Sequence, residues 1–204
     1  AMAIGGALIG FVFGWIVFST NFCTMGSISD FMSFGDFRRF RAWILAAATA
    51  LVGTQALHYF GVIDLSRTMY LSSQIDWFGN IVGGFLFGIG MVFAGGCASR
   101  NLARAGSGDL RSLIVLIVVG LFAYITIGGM IGPVRAELSS LTAIKFDSGP
   151  TTFSNFLSHI SGLDPQVAAW AATAVIAGIA LIYCFKDPAF RTSPSHLIAG
   201  FGIG

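Results

Sequence analysis

Long stretches without any charged residue divide this chain. Asp, Glu, Lys and Arg are absent from the ranges 1–29, 42–63, 77–99, 112–134 and 165–185. A helix needs about 20 consecutive apolar residues to cross a bilayer, and each of these ranges reaches that length. Only 10% of the 204 residues are charged, whereas soluble domains carry about 25%. The runs predict an all-α polytopic membrane protein held in a lipid bilayer. The net charge of +2 is too small to say anything about nucleic acid, and no nucleic-acid partner is predicted.

The predicted architecture is a single membrane domain over residues 1–204, with five transmembrane helices and the start of a sixth. The five helices are placed at Ala3–Thr20, Ala42–Val62, Phe78–Ala94, Ser112–Gly132 and Gln166–Phe185. Polar connections are placed at 63–76 and 134–164. The last stretch, His196–Gly204, is apolar and has the character of a membrane helix cut short. The chain is therefore predicted to be the N-terminal part of a longer one.

A short motif occurs twice at a fixed offset. Gly10-Phe-Val-Phe-Gly14 is followed nine residues later by Cys23, and Gly84-Phe-Leu-Phe-Gly88 is followed at the same distance by Cys97. The offset is 74 residues throughout, and self-similarity of this kind indicates a duplicated structural unit. We predict a first repeat unit at about 5–62, a second at about 79–133, and further helices at 165–204.

Each cysteine lies just beyond an apolar segment, in a stretch of mixed character. The stretches are Asn21-Phe-Cys23-Thr-Met-Gly26 and Gly95-Gly96-Cys97-Ala-Ser99. Irregular backbone at membrane depth is tolerated only where it is buried in protein or lines a cavity. We therefore predict short broken or re-entrant helices after the first and third segments.

The start of a helix carries free N–H groups and the positive end of the helix dipole, which together attract anions. A positive environment also favours the thiolate form of a cysteine. Cys23 and Cys97 are therefore candidate contacts for a small anion, with Gly26, Gly95 and Gly96 as supporting residues. The alternative is that both cysteines are small buried hydrophobes, which is the commoner use of the residue, and duplication can copy a packing cysteine.

Basic residues gather after the first, third and fifth segments. They are Arg38, Arg39, Arg41, Arg100, Arg104, Arg111, Lys186 and Arg191. Because these groups fall on one side of an alternating topology, the positive-inside tendency places them in the cytoplasm and the N-terminus in the periplasm. Arg100 and Arg104 are further candidates for drawing an anion to the pathway, the alternative being that they only determine topology.

The histidines, the third cysteine and the glycine clusters do not indicate a second functional site. His58, His159 and His196 are not spaced as a metal or haem pair, so structural roles are predicted for them. Cys184 lies outside the repeat and is predicted to serve packing. The Gly-x-Gly clusters lie in apolar helices, not between a strand and a helix, which excludes a nucleotide-binding loop. No cofactor and no metal are predicted.

At these motifs the sequence resembles the YeeE/YedE-type sulfur transport family of bacterial membrane proteins. The continuation from Leu102 through Ser112 strengthens the resemblance, which covers roughly residues 5–130. The family includes thiosulfate importers and relatives linked to selenium metabolism. The resemblance implies an inner-membrane protein with internal pseudo-symmetry, in which short broken helices meet near a narrow pathway. It also implies that Cys23 and Cys97 offer transient S–H···S contacts to a passing ion.

The chain departs from the family pattern in one respect. A full member has a second half with a further motif cysteine, and Cys184 lacks the glycine-rich context of that residue. A longer chain or a second polypeptide is therefore expected to complete the pathway. A small soluble sulfur-carrier protein is a further partner implied by the resemblance.

Three functions are compared from these observations. The leading hypothesis is uptake of a small sulfur-containing anion, thiosulfate above all, by a transporter that is not an enzyme. A membrane thiol enzyme, for sulfur transfer or redox chemistry, is the second hypothesis, although no Cys-x-x-Cys motif is present. The third is a non-catalytic anchor subunit of a larger complex, which would tolerate changes at both cysteines.

Overall fold

A computed structural model describes residues 2–63, 74–145 and 165–204 of the chain, and these residues are mostly helical. The helices are α1 (Met2–Thr20), α2 (Thr24–Phe34), α3 (Arg38–Tyr59), α4 (Trp77–Phe93), α5 (Ala98–Gly106), α6 (Leu110–Ile127), α7 (Gly132–Thr142), α8 (Pro165–Phe185), α9 (Pro188–Arg191) and α10 (Pro194–Ile203). Two short strands are β1 (Gln74–Asp76) and β2 (Ala143–Lys145).

Five stretches of the described residues are long and apolar enough to cross a membrane. They are Ala3–Phe34, Arg38–Tyr59, Trp77–Gly106, Leu110–Ile127 and Val167–Phe185. This confirms the predicted class, a helical polytopic membrane protein. The observed helices begin slightly before the predicted ones, and α3 begins at Arg38 instead of Ala42. Basic side chains are tolerated in the first turn of a membrane helix because they extend into the polar interface.

The region after α6 differs from the predicted polar connection. Part of it forms α7, and the strand that follows pairs antiparallel with β1, with Ile75 opposite Ile144. Asp76 links these elements, since its Oδ1 accepts the Gly79 N–H at 2.8 Å and the Thr142 hydroxyl at 3.2 Å. A short polar helix of this kind has no long apolar run, so hydropathy gave no signal for it. Predictions for 146–164, including His159, lie outside the described residues.

The chain forms two compact units. The first comprises Ala1–Leu51, Gly90–Val119 and Gly178–Gly204, and the second comprises Val52–Ile89 and Gly120–Ala177. In the first unit α1 packs against α5 and α10. In the second unit β1 contacts β2 and α7, and Tyr59 packs edge-on against Trp170 with ring centroids 5.8 Å apart. Both motif cysteines belong to the first unit.

The core of the first unit combines small side chains with Leu45 and one aromatic ring, Phe190. Its fully buried members are Ala42, Leu45, Cys184, Phe190 and Ala199. The Cys184 thiol also donates to the Arg41 carbonyl at 3.3 Å. The predicted packing role of Cys184 is therefore confirmed. Helix α10 (Pro194–Ile203) includes most of His196–Gly204, where the sequence predicted the start of a further helix.

Replacing Gly200 with alanine is expected to destabilise the first unit by about 1–3 kcal/mol, the usual cost of overpacking a core. A Cβ atom at this position would lie 2.6 Å from Leu45 Cδ2 and 2.9 Å from Leu45 Cβ, closer than carbon atoms approach. Thermal unfolding of the detergent-purified protein measures the effect. Gly178→Ala is the matched control, because a Cβ atom there has no neighbour within 4 Å. Equal unfolding temperatures for both variants would contradict this packing.

Candidate functional site

The first break in the helices lies between α1 and α2. Thr20 ends α1 by donating its hydroxyl to the Ile16 carbonyl at 2.6 Å. Asn21 then turns the chain with a left-handed φ of 51°, a conformation that Asn tolerates better than most residues. Cys23 precedes α2 in extended conformation, and its Sγ accepts the Gly26 N–H at 3.5 Å. The thiol therefore occupies the position where a helix start needs an acceptor.

The second break lies between α4 and α5 and uses two glycines. Gly95 and Gly96 have φ values of 68° and 157°, which side-chain-bearing residues rarely adopt. The Gly96 N–H donates back to the Met91 carbonyl at 3.1 Å, which ends α4. Cys97 then precedes α5 in extended conformation and makes no capping hydrogen bond with its side chain. The second thiol thus also lies at the start of a helix, but its sulfur does not cap that helix.

Two buried polar residues form hydrogen bonds to the backbone at these breaks. Neither was predicted as a site residue from the sequence. Asn101 is 3% exposed and donates through Nδ2 to the carbonyls of Ala94 and Gly96, at 3.3 and 3.2 Å. Ser27 is 2% exposed and donates to the Thr24 carbonyl at 2.7 Å. Ser27 and Asn101 are themselves 74 positions apart in the chain. A comparison of polar residues at that offset would have identified both.

The two breaks bring the predicted cysteines together. The sulfur atoms of Cys23 and Cys97 lie 3.2 Å apart. Both residues are free cysteines, 4% and 5% exposed. The Cys97 sulfur also lies 3.7 Å from the Ser99 hydroxyl oxygen. The result is a buried pair of polarisable S–H groups at the starts of α2 and α5.

Arg100 and Arg104 lie on α5, beside a small cavity. The cavity has a volume of about 230 Å³ and is lined by Val17, Phe18, Asn21, Phe22, Arg100, Ala103 and Arg104. Arg104 is paired with Asp109 at 3.1 Å, and a hydrogen bond from the Ser112 hydroxyl lowers the pKa of that carboxyl group. Arg100 is exposed, and its aliphatic part lies over Gly96. Both predicted arginines therefore line a cavity that also contacts Phe22, the residue before Cys23.

A second group of charges lies where α2 gives way to α3. Arg38 donates from Nε and Nη2 to the Asp36 carboxylate at 2.8–3.0 Å, and this holds the pKa of Asp36 at about 2. Arg39 pairs with Asp30 at 3.1 Å. Burial lowers the pKa of His196, and the charges of Arg38 and Arg39 lower it further, while Asp36 and Asp30 act in the opposite direction. The sequence interpretation assigned Arg38 and Arg39 to topology alone.

The structure gives no support for a metal-dependent site in the part of the chain that it describes. No group of three His, Cys, Asp or Glu side chains comes close enough to hold a metal ion there. His58 places its Nδ1 3.1 Å from the Ile63 carbonyl oxygen. The groups that the structure places at the helix breaks of this polytopic membrane protein are thiols, backbone N–H groups and guanidinium groups.

Comparison with known proteins agrees with this class. Residues 19–199 match the model of the family described as sulphur transport, and the chain belongs to that family. It is 29% identical over 189 residues to the thiosulfate transporter TsuA of Spirochaeta thermophila, covering 88% of this chain and 53% of the relative. It is 26% identical over 209 residues to TsuA of Escherichia coli, covering 97% and 54%. The chain thus spans about half the length of these curated relatives.

Proposed function

We propose that this protein takes part in the uptake of a small sulfur-containing anion, with thiosulfate as the leading substrate. The observation that carries the proposal is the buried thiol pair at two helix starts, with its sulfur atoms 3.2 Å apart. Membership of the sulphur transport family supports it. Two relatives named as thiosulfate transporters support the choice of substrate. On this proposal the protein is a transporter and not an enzyme.

The physical problem for such a protein is the charge of the ion. A doubly charged anion loses a large hydration energy when it leaves water, and unpaired charge is very costly in an apolar medium. The first turns of α2 and α5 offer N–H groups without helical partners and the positive ends of two helix dipoles. We assign to these helix starts the main share of the compensation, and we propose that both helices are re-entrant.

The thiols supply contacts that are weak enough for transit. A conducting site must bind its ion favourably but release it readily. A thiol is a weak hydrogen-bond donor, so S–H groups of Cys23 and Cys97 meet the anion in succession and let it pass unchanged. Gly26, Gly95 and Gly96 carry no side chain that would keep the ion from the backbone N–H groups. These five residues form the proposed pathway contacts.

Arg100 and Arg104 are proposed to hold the anion near the cytoplasmic end of the pathway. Both line the cavity beside Phe22, the neighbour of Cys23. In the proposed orientation the protein lies in a bacterial inner membrane, with the basic residues on the cytoplasmic side and the N-terminus on the periplasmic side. A soluble sulfur-carrier protein is the proposed receiver of the sulfur on the cytoplasmic side.

One half of the pathway is proposed to come from outside this sequence. The relatives are about twice as long as the matched region, which covers 53% and 54% of them. An apolar groove of about 770 Å³ runs between α1 and α5, where Gly10 and Gly14 leave it open. Close approach of helices in membranes favours such small residues. A helix of the second half, in the same or a second polypeptide, is the proposed occupant.

The two copies of the 74-residue repeat are proposed to play equivalent parts in contacting the anion. Each contributes one helix break and one cysteine, and each break carries a buried polar residue four positions after the cysteine. The repeat units at about 5–62 and 79–133 therefore supply one contact each, while residues 165–204 close the domain.

Growth on thiosulfate tests the proposed substrate. A bacterial strain that cannot assimilate sulfate and lacks its own thiosulfate importer is given the gene as its host encodes it. Growth with thiosulfate as the sole sulfur source is expected, together with equal growth of the gene-carrying and empty strains on cysteine. Absence of growth on thiosulfate, with the protein present in the membrane, would refute thiosulfate as the substrate.

A membrane thiol enzyme is the second candidate, and the 3.2 Å sulfur separation favours it. In such an enzyme the two thiols would form a disulfide, releasing two protons and two electrons that reduce a quinone to a quinol. Thiosulfate recovered unchanged inside vesicles would exclude a sulfur-transfer reaction. Accumulation of a Cys23–Cys97 disulfide during turnover would instead favour the enzyme over the transporter. An anchor subunit would show neither effect.

A further inference from the structure

The Arg39 guanidinium and the Cys23 thiol both lie close to Gly26, although Arg39 is on α3 and Cys23 precedes α2. A Cβ atom at Gly26 would lie 3.1 Å from Arg39 Nη1 and 3.9 Å from Cys23 Sγ. Both groups thus border the same empty position on the first turn of α2. Because glycine has no side chain there, nothing at residue 26 separates the cation from the sulfur.

Arg39 is also only partly engaged by protein partners. Its Nη1 pairs with a single oxygen of Asp30 at 3.1 Å, and the two side chains are 32% and 26% exposed. Arginine has five N–H donors. Among the described residues, Asp30 is the one carboxylate that pairs with Arg39. The adjacent Arg38 differs, because Nε and Nη2 both contact the Asp36 carboxylate. Arg39 therefore keeps donors that Arg38 has already used.

We propose that Arg39 is an anion-binding residue of the thiol site, which meets the sulfur oxyanion as it reaches Cys23. The proposal rests on the function proposed above and names a contact that the sequence did not identify. Asp30 holds one side of the guanidinium in place, and the remaining N–H groups face the incoming oxygen atoms. The thiols then contact the sulfur end of the ion while Arg39 contacts its oxygen end.

The chemistry of the two ends of the ion supports this division. Planar guanidinium groups match oxyanions with parallel N–H···O bonds and carry their charge at every accessible pH. Thiols are polarisable and weak donors, so they suit the softer sulfur atom. A site with one fixed cation and two thiols therefore selects sulfur oxyanions over halides and over neutral sulfur compounds.

The test compares uptake kinetics of radiolabelled thiosulfate in cells that carry Arg39→Gln, Arg39→Lys or Arg38→Gln. Loss of one charge-assisted contact corresponds to a KM increase of about tenfold or more for Arg39→Gln. The maximal rate per molecule in the membrane is expected to change much less. Arg39→Lys keeps the charge and is expected to recover part of the affinity. Arg38→Gln is the matched control, with a KM within about twofold of the parent, as for an exposed ion pair.

Equal KM values for Arg39→Gln and the parent would overturn the proposal, as would equal increases in the two glutamine variants. A second measurement does not depend on transport. Methanethiosulfonate reagents with a sulfonate or a trimethylammonium group each form a mixed disulfide with a thiol and release methanesulfinate. In the Cys184→Ala background, labelling of the remaining thiols is followed by mass spectrometry. Each rate is divided by the rate of the same reagent with a free thiol in solution, and the protein that keeps Arg39 is expected to prefer the sulfonate reagent on this scale.

The two measurements separate failure of this inference from failure of the proposed function. If the sulfonate preference disappears in Arg39→Gln but the parent does not import thiosulfate, Arg39 binds anions and the transport proposal falls. If the parent imports thiosulfate and the sulfonate preference is the same in Arg39→Gln, transport stands and the role of Arg39 falls.

Discussion

Replacing Cys97 with alanine is expected to reduce thiosulfate uptake by about tenfold or more, and Cys23→Ala is expected to act in the same direction. On the proposed mechanism, each substitution removes an S–H donor at a place where the ion has lost its water. A hydrogen bond to a charged group contributes about 1.5–3 kcal/mol, and each 1.4 kcal/mol is about tenfold. Initial rates of radiolabelled uptake, divided by the amount of protein in the membrane, measure the effect.

The larger effect is expected at Cys97. Its sulfur has no capping role, whereas the Cys23 sulfur accepts the Gly26 N–H. Cys184→Ala is the matched control, because this third cysteine is fully buried and packed in the core of the same unit. It is expected to lower the amount of folded protein and to leave the rate per molecule unchanged. Full uptake by both Cys23→Ala and Cys97→Ala would rule out the thiol mechanism.

Oxidative joining of Cys23 to Cys97 is expected to abolish uptake in every molecule that carries the bond. The sulfur atoms lie 3.2 Å apart, so only a small movement is needed to join them. A diazenedicarboxamide oxidant takes up the two hydrogen atoms of the thiols and becomes a hydrazine. The disulfide removes both donors at once and places a covalent link at the site of contact. Dithiothreitol is expected to restore uptake.

The extent of joining is measured by mass spectrometry of the linked peptides, alongside uptake in the same membranes. A Cys23→Ser protein is the control, since it lacks one of the two thiols and is expected to respond weakly to the oxidant. Uptake that persists after complete formation of the disulfide would show that the ion does not pass the pair. It would leave the cysteines as packing residues.

Hydropathy was sufficient to place the membrane helices because lipid imposes a single requirement along the chain. Every residue of a spanning helix must be tolerable to hydrocarbon, and its backbone must be satisfied within the helix. The five uncharged ranges therefore correspond to the five apolar stretches of the structure. The breaks at Cys23 and Cys97 were also predictable, since Asn21, Gly95 and Gly96 are residues that adopt positive φ angles.

Other features depended on contacts that no single segment encodes. The short helix α7 and the β1–β2 pair are held by Asp76 and Thr142, which are 66 residues apart. From the sequence, Arg39 was grouped with Arg38 and Arg41 as a topology signal. Its position near Gly26 and Cys23 depends on how α3 packs against the start of α2, which the sequence pattern does not reveal. The repeat predicted similar surroundings for the two cysteines but gave no distance between them. Their meeting required α1 and α5 to pack together.

That packing has a consequence for how such a protein is assembled. Cys23 and Cys97 both lie in the unit formed by Ala1–Leu51, Gly90–Val119 and Gly178–Gly204. The contact between the two sulfur atoms therefore lies within a single unit. On the proposed function, a chain in which this unit has folded would already carry the two thiols 3.2 Å apart, before a second half joins it. On that proposal, the thiol pair forms earlier than the pathway that it would serve.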